Sequence, residues 1–122
     1  MGIKTYFFDT YAFHEIIVGN PKYEKFKKGI AVITTKLNLM ELFYTLLLKY
    51  NIQTADKCYD SFLGCVIEID DEIIKSSMMF KMGNKKLSYV DCIGYIAAKE
   101  RNAVFLTGDE HFRNLSNVEF IK

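Results

Sequence analysis

Cysteine and histidine are scarce in this chain: Cys58, Cys65 and Cys92 of the one, His14 and His111 of the other. The cysteines are odd in number and form no C-x-x-C pair, so a disulfide framework is not expected. Reduced, mostly buried thiols in a cytoplasmic protein fit that pattern. With no further His or Cys at ligand spacing, the two histidines argue against a zinc centre. Net charge is nearly absent as well. Sixteen basic and fifteen acidic side chains leave +1, so any site for a polyanion has to be a local patch. There is no long hydrophobic run. The most apolar stretch, Leu39 to Leu48, meets charged or polar neighbours well before the ~18 residues a membrane span needs. Met1-Gly2-Ile3-Lys4 leads straight into a strand-like segment, so no signal peptide is expected. Internal repeats and low-complexity linkers are lacking too.

What remains is ordinary globular composition, half hydrophobic and a quarter charged over 122 residues. That is enough to bury a core, and a single domain spanning 1–122 is expected. Ile3 to Phe8 is β-branched and aromatic and reads as a strand ending at Asp9. Thr10 to Val18 reads as a helix stopped by Gly19-Asn20, and Pro21 can open a short basic helix carrying Lys22, Lys25, Lys27 and Lys28. Further strands are expected at Ile30–Thr34, Cys65–Ile69, Ala103–Thr107 and Val118–Ile121. Helices are expected over Lys36–Tyr50 and Thr54–Leu63, from Asp70-Asp71-Glu72 towards Met82, and over Ser88–Arg101; a short one follows Gly108. Strands alternating with helices, without tight hairpin signals, imply an α/β fold with a parallel sheet covered on both faces.

Sites in such sheets form beyond the carboxyl ends of the strands. Asp9 directly follows the first strand, and Asp109 lies two residues past Thr107. Asp91 stands in the first turn of the helix that leads into that later strand. Glu41 is the one charge in Asn38-Leu39-Met40-Glu41-Leu42-Phe43-Tyr44-Thr45-Leu46-Leu47-Leu48, a helix beginning at the same edge. A carboxylate among so many apolar residues is costly unless something pairs with it. Four acids gathered without a cation force at least one to stay protonated, whereas a divalent ion removes the conflict. Oxygen-only donors favour Mg²⁺ or Mn²⁺. A plainer reading stands beside each acid. Asp9 and Asp109 can cap the helices that follow them, Ser88-x-x-Asp91 matches a capping box, and Glu41 can point outward.

Phe8-Asp9-Thr10, Glu41 within "NLMEL", "LSYVDCIGYIAA" around Asp91 and "VFLTGDEHF" around Asp109 together resemble the PIN domain family. The likeness runs over essentially the whole chain and is nearest to the small single-domain VapC toxin type. The resemblance implies a three-layer α/β/α sandwich and metal-dependent ribonuclease activity. It also implies an acidic set at Asp9, Glu41, Asp91 and Asp109, with Thr107 as the hydroxyl beside them. One or two Mg²⁺ or Mn²⁺ ions, a homodimer and a small antitoxin partner are further implications. The family also contains RNA-processing nucleases outside toxin systems.

Phosphodiester hydrolysis needs an activated water and stabilised charge on the phosphate, which carboxylate-held metal ions supply. In that scheme Asp9, Asp91 and Asp109 are ligands, directly or through water, and Glu41 is either a ligand or the group that positions the water. Thr10 and Thr107 either hydrogen-bond ligands or water, or serve only as caps and strand-end partners. Lys85 and Lys86, just before the Asp91 helix, are the first candidates for RNA phosphates. Arg113 near the Asp109 loop is another, for a phosphate or an antitoxin carboxylate. Tyr11, Phe13 and Tyr89 are candidate stacking surfaces near the same edge. Met78, Met79 and Met82 read as packing or subunit-contact residues. Two other classes compete. A phosphoaspartate-forming enzyme built on Asp9 usually wants a second Asp two residues on, where Tyr11 stands. A catalytically silent RNA- or protein-binding module would keep the fold without the metal chemistry.

Overall fold

The computed structural model describes residues 2–122. Strands β1 (Thr5–Phe8), β2 (Ala31–Ile33), β3 (Val104–Thr107) and β4 (Val118–Phe120) form one sheet in the order β2-β1-β3-β4. All three pairings are parallel. The side chains of β1 and β3 alternate between two apolar layers, as the period of a strand requires. Tyr6, Phe8 and Leu106 pack on one side with α1 (Thr10–Val18), α2 (Lys36–Lys49) and α3 (Ile52–Phe62). Phe7 and Phe105 pack on the other with α4 (Asp71–Met82) and α5 (Tyr89–Glu100). The result is the expected three-layer α/β/α sandwich.

The second face is the more aromatic. Phe7 stacks on Phe105 with ring centroids 5.4 Å apart, and Tyr95 and Phe112 close around Phe105 at 5.7 and 4.6 Å. Full burial of one such ring contributes about 2–3 kcal/mol. Gly94 lets α5 approach this cluster, since a Cβ there would stand 3.0 Å from the Phe7 ring.

Polar residues define the helix starts. Asp9, Thr35, Asp70 and Ser88 cap α1, α2, α4 and α5 through their side-chain oxygens. Gly19, at φ 78°, ends α1 in the left-handed region that glycine enters without strain.

The expected strand at Cys65–Ile69 is reduced to one parallel bridge between Thr34 and Val66. Thr34 N–H donates to Cys65 O at 2.9 Å and Ile67 N–H to Thr34 O at 2.9 Å. A 3-10 turn over Leu63–Cys65 takes up the front of the segment, and Asp70 begins α4, so too little extended chain is left for a ladder. The expected basic helix at Pro21 is 3-10 rather than α, over Pro21–Phe26. The short helix after Gly108 is a single 3-10 turn, Glu110–Phe112. Cys58, Cys65 and Cys92 are all free. Among the described residues no helix is long and apolar enough to cross a membrane.

Candidate active site at the ends of β1 and β3

The sheet order fixes where a site can form. From β1 the chain moves outward to β2 and later returns to the other side of β1 as β3. The crevice between the carboxyl ends of β1 and β3 is therefore the switch point of the sheet. Asp9 and Thr107 occupy it. Asp9 is only 4% exposed and Thr107 is fully buried. The Thr107 hydroxyl donates to Asp9 Oδ2 at 2.5 Å and accepts the Asp109 amide at 3.0 Å. One hydroxyl thus ties the strand-one acid to the loop that carries the next.

Asp9 also caps α1, accepting the Ala12 amide on Oδ1 at 2.8 Å. Burial pushes its carboxyl up from 3.8 to about 7; the bonds from Thr107 and Ala12 oppose that rise, and the charges of Asp91 and Asp109 add to it. Burial also raises Asp91, with its two contacts to Ser88 pulling the other way and Asp109 pushing up again. Glu41 rises for the same leading reason, lowered by Thr10 and raised further by Asp91. The four acids are electrostatic neighbours.

Asp91 and Asp109 are steadied within their own elements, and Glu41 from across the crevice. Asp91 Oδ2 accepts the Ser88 amide at 3.0 Å, completing the capping box at the start of α5. Asp109 Oδ1 accepts the His111 amide at 3.0 Å and lies 3.2 Å from the His111 ring. Glu41 Oε1 accepts the Thr10 hydroxyl at 2.7 Å. Glu41 therefore turns in towards α1, and the outward reading of that residue is wrong. Capping and convergence coexist for Asp9, Asp91 and Asp109.

Among the described residues no three His, Cys, Asp or Glu side chains stand close enough to form a closed metal cage. The set still fits a hard divalent ion. All its donors are oxygens, the second oxygens of Glu41 and Asp109 take no hydrogen bond among the described residues, and burial, with repulsion from neighbouring carboxylates added to it, raises Asp9, Asp91 and Glu41, a penalty on the charged forms that a cation would offset. Mg²⁺ keeps several waters and is commonly bound through only one or two carboxylates.

A polar residue that the sequence reading passed over completes the crevice. Asn38, buried at 2% exposure, donates from Nδ2 to the Thr10 hydroxyl at 3.3 Å and accepts the Thr35 hydroxyl at 2.6 Å. It fixes Thr10, which in turn fixes Glu41. A lone Asn three residues before Glu41 in an apolar helix was the available signal, since a buried amide needs partners. Among the candidate cations, Lys85 and Lys86 lie in the loop before Asp91, both exposed. Arg113 is turned away to Glu110, at 3.0 Å, and over the Phe120 ring at 4.8 Å. Tyr89 is 65% exposed, whereas Phe13 is core.

The family model for the PIN domain matches residues 6–118. This chain is a PIN domain. Solved structures with the same fold include a toxin–antitoxin complex from Klebsiella pneumoniae at 17% identity and a TM-score of 0.75, covering 93% of this chain and 95% of that one. VapC20 of Mycobacterium tuberculosis, a sarcin-ricin loop cleaving toxin, gives 16% identity and a TM-score of 0.75 over 95% and 98% of the two chains. VapBC2 of Rickettsia felis, bound to a DNA fragment from its promoter, gives 16% and 0.73 over 96% and 97%. Likenesses at this identity establish a shared fold. Among curated proteins none matches the sequence.

Within this PIN domain the Thr107 hydroxyl holds Asp9 down against burial, so Thr107→Val should move the Asp9 titration midpoint upward. Carbon-detected NMR of the Asp9 carboxyl reads that midpoint directly. Thr107→Ser should return it to the parent value, and an unmoved midpoint in the valine variant would show that the hydroxyl contributes nothing.

Proposed function

We propose that this PIN domain is a Mg²⁺- or Mn²⁺-dependent endoribonuclease and the toxin of a toxin–antitoxin pair. PIN domains are generally nucleases, and the carrying observation is the buried, charge-coupled Asp9 at the β1/β3 switch point. Asp9, Asp91 and Asp109 would hold one or two ions directly or through water, and Glu41 would complete the shell or position the attacking water. A bound ion would stabilise charge on the scissile phosphate and lower the pKa of a water.

The chain's own groups do the arranging. Thr107 orients Asp9 and fixes the Asp109 amide, Thr10 orients Glu41, and the Ser88 cap fixes Asp91. Lys85 and Lys86 would face the strand's phosphates, with Tyr89 available to stack a base. Arg113, already paired, is less suited to the substrate role and fits an antitoxin carboxylate better. An antitoxin and a second copy of the chain are the proposed protein partners. Exposed Met40, Tyr44 and Leu48 on α2, and Ile74, Met79 and Met82 on α4, supply apolar surface for such contacts.

Calorimetric melting with and without Mn²⁺ tests the metal site together with cleavage of RNA in EDTA. An ion at about 100 times its Kd should stabilise the parent by about 2.7 kcal/mol, and EDTA should stop cleavage. Neither effect should survive Asp9→Asn. Cleavage that proceeds unchanged in EDTA would refute the metal assignment.

A further inference from the structure

A small polar cavity of about 270 Å³ lies beside the acids, lined by Gly83, Asn84, Lys85, Lys86, Leu87 and His111. It has basic walls and no acidic one. We propose that it is a subsite for one non-scissile phosphate of the RNA strand, held by Lys85 and Lys86 and by their backbone amides; this rests on the nuclease reading above.

The loop is built as an anion cradle. Leu87 N–H donates to Asn84 O at 3.1 Å, closing a turn with Lys85 and Lys86 at its centre. The amides of those two lysines take no partner among the described residues. Successive free N–H groups in a turn make a concavity suited to an anion. Two of the loop's carbonyls are held by a neighbouring ammonium. Lys81 Nζ donates to Leu87 O at 2.5 Å and to Lys85 O at 3.3 Å. The same ammonium lies 5.0 Å over the Tyr89 ring, and Asn84 Nδ2 donates to Phe80 O at 3.0 Å. The loop is thereby tied to α4 at its base and to the start of α5.

Position gives the cradle its use. Leu87 adjoins Ser88, which caps Asp91, and His111 on the facing wall holds Asp109 at 3.2 Å. An acidic crevice repels a polyanion until metal is bound. Two cations on its rim counter that repulsion for one phosphate of the strand, and so set its position relative to the bond to be cut.

A single cradle and a pair of loosely solvated lysines differ in salt dependence. Neutralising one phosphate of a single strand contributes about 0.7 to the slope of log K against log salt. Fluorescence anisotropy of a labelled single-stranded RNA, measured in EDTA so that no cleavage occurs, gives the slope. Lys85→Ala with Lys86→Ala should lower it by about 0.7, with Lys57→Ala on α3 as the unchanged control. Amide NMR of the parent titrated with inorganic phosphate, and then with that RNA, should shift the Lys85 and Lys86 signals ahead of the Lys22–Lys28 run. A drop of about 1.4 would mean two separate phosphates on an open surface and overturn the cradle. So would an unchanged slope, or amides at 85 and 86 that stay put with both probes. The cleavage assay is a separate arm. Metal-dependent cleavage with an unchanged slope leaves the nuclease and removes the subsite; a lowered slope without cleavage does the reverse.

Discussion

Asp9→Asn should abolish RNA cleavage, by roughly 10³-fold or more, while making the metal-free protein more stable at mildly alkaline pH. The two effects share one cause. Burial holds the Asp9 carboxyl at about 7 in the folded chain, above its ordinary 3.8. Between those values the folded state binds more protons than the unfolded state, so stability falls as pH rises through the window. Above it, the parent carries a buried carboxylate beside Asp91 and Asp109. Asn has no charge to desolvate and can still accept the Ala12 amide that caps α1. The gain at about pH 8 is on the order of 4 kcal/mol, because the folded and unfolded values lie about three units apart and each unit is worth about 1.4 kcal/mol. Well below pH 3.8 the parent is protonated in both states, and the variant gains nothing. Urea melts of both proteins in EDTA across that range give the difference, and parallel profiles would show that Asp9 is not held up by burial. A bound divalent ion competes with the same proton, so metal affinity should rise with pH through about 7.

Gly108→Ala should damage stability and activity together. Gly108 is buried between Thr107 and Asp109, and a Cβ there would fall within 2.5 Å of Ile121 O and deeper into the Tyr11 ring. Ile121 cannot easily withdraw, because its amide donates to Thr107 O at 2.9 Å where β4 adjoins β3. Overpacking against backbone of this kind costs about 1–3 kcal/mol, equivalent to a Tm roughly 4–10 °C lower. The loop has to shift to relieve the clash, and Asp109 shifts with it. A displacement of about 1 Å costs around 10²-fold in rate. Thermal melting and cleavage of the same RNA report both losses; a variant with parent Tm would show that the Tyr11 ring simply swings aside.

The acids were legible because they are tied to chain landmarks. Asp9 and Asp109 follow β-branched or aromatic runs, and Asp91 follows a Ser at capping distance. Those signals report both a helix start and a strand end, so the capping roles of Asp9, Asp91 and Asp109 are compatible with the site proposed for them. Glu41 was legible from its apolar neighbours alone. What the sequence left open is tertiary. The segment at Cys65–Ile69 is strand-like by composition, yet the turns on either side leave it one bridge. The roles of Thr10 and Asn38 depend on α1 and α2 meeting across 28 residues of chain, and no local pattern encodes that. Arg113 sits beside the right loop in sequence, but Glu110, three residues earlier on the same turn, takes it first.

Because β1 lies at the centre of the sheet and its second neighbour is β3, the crevice stays half-built until β3 has been made. A nascent chain that ends before Val104 carries Asp9, Glu41 and Asp91 but has no Thr107 to orient Asp9 and no Asp109 at all. On the nuclease reading, a ribosome making this protein is spared its product until β3 and the Asp109 loop have been added.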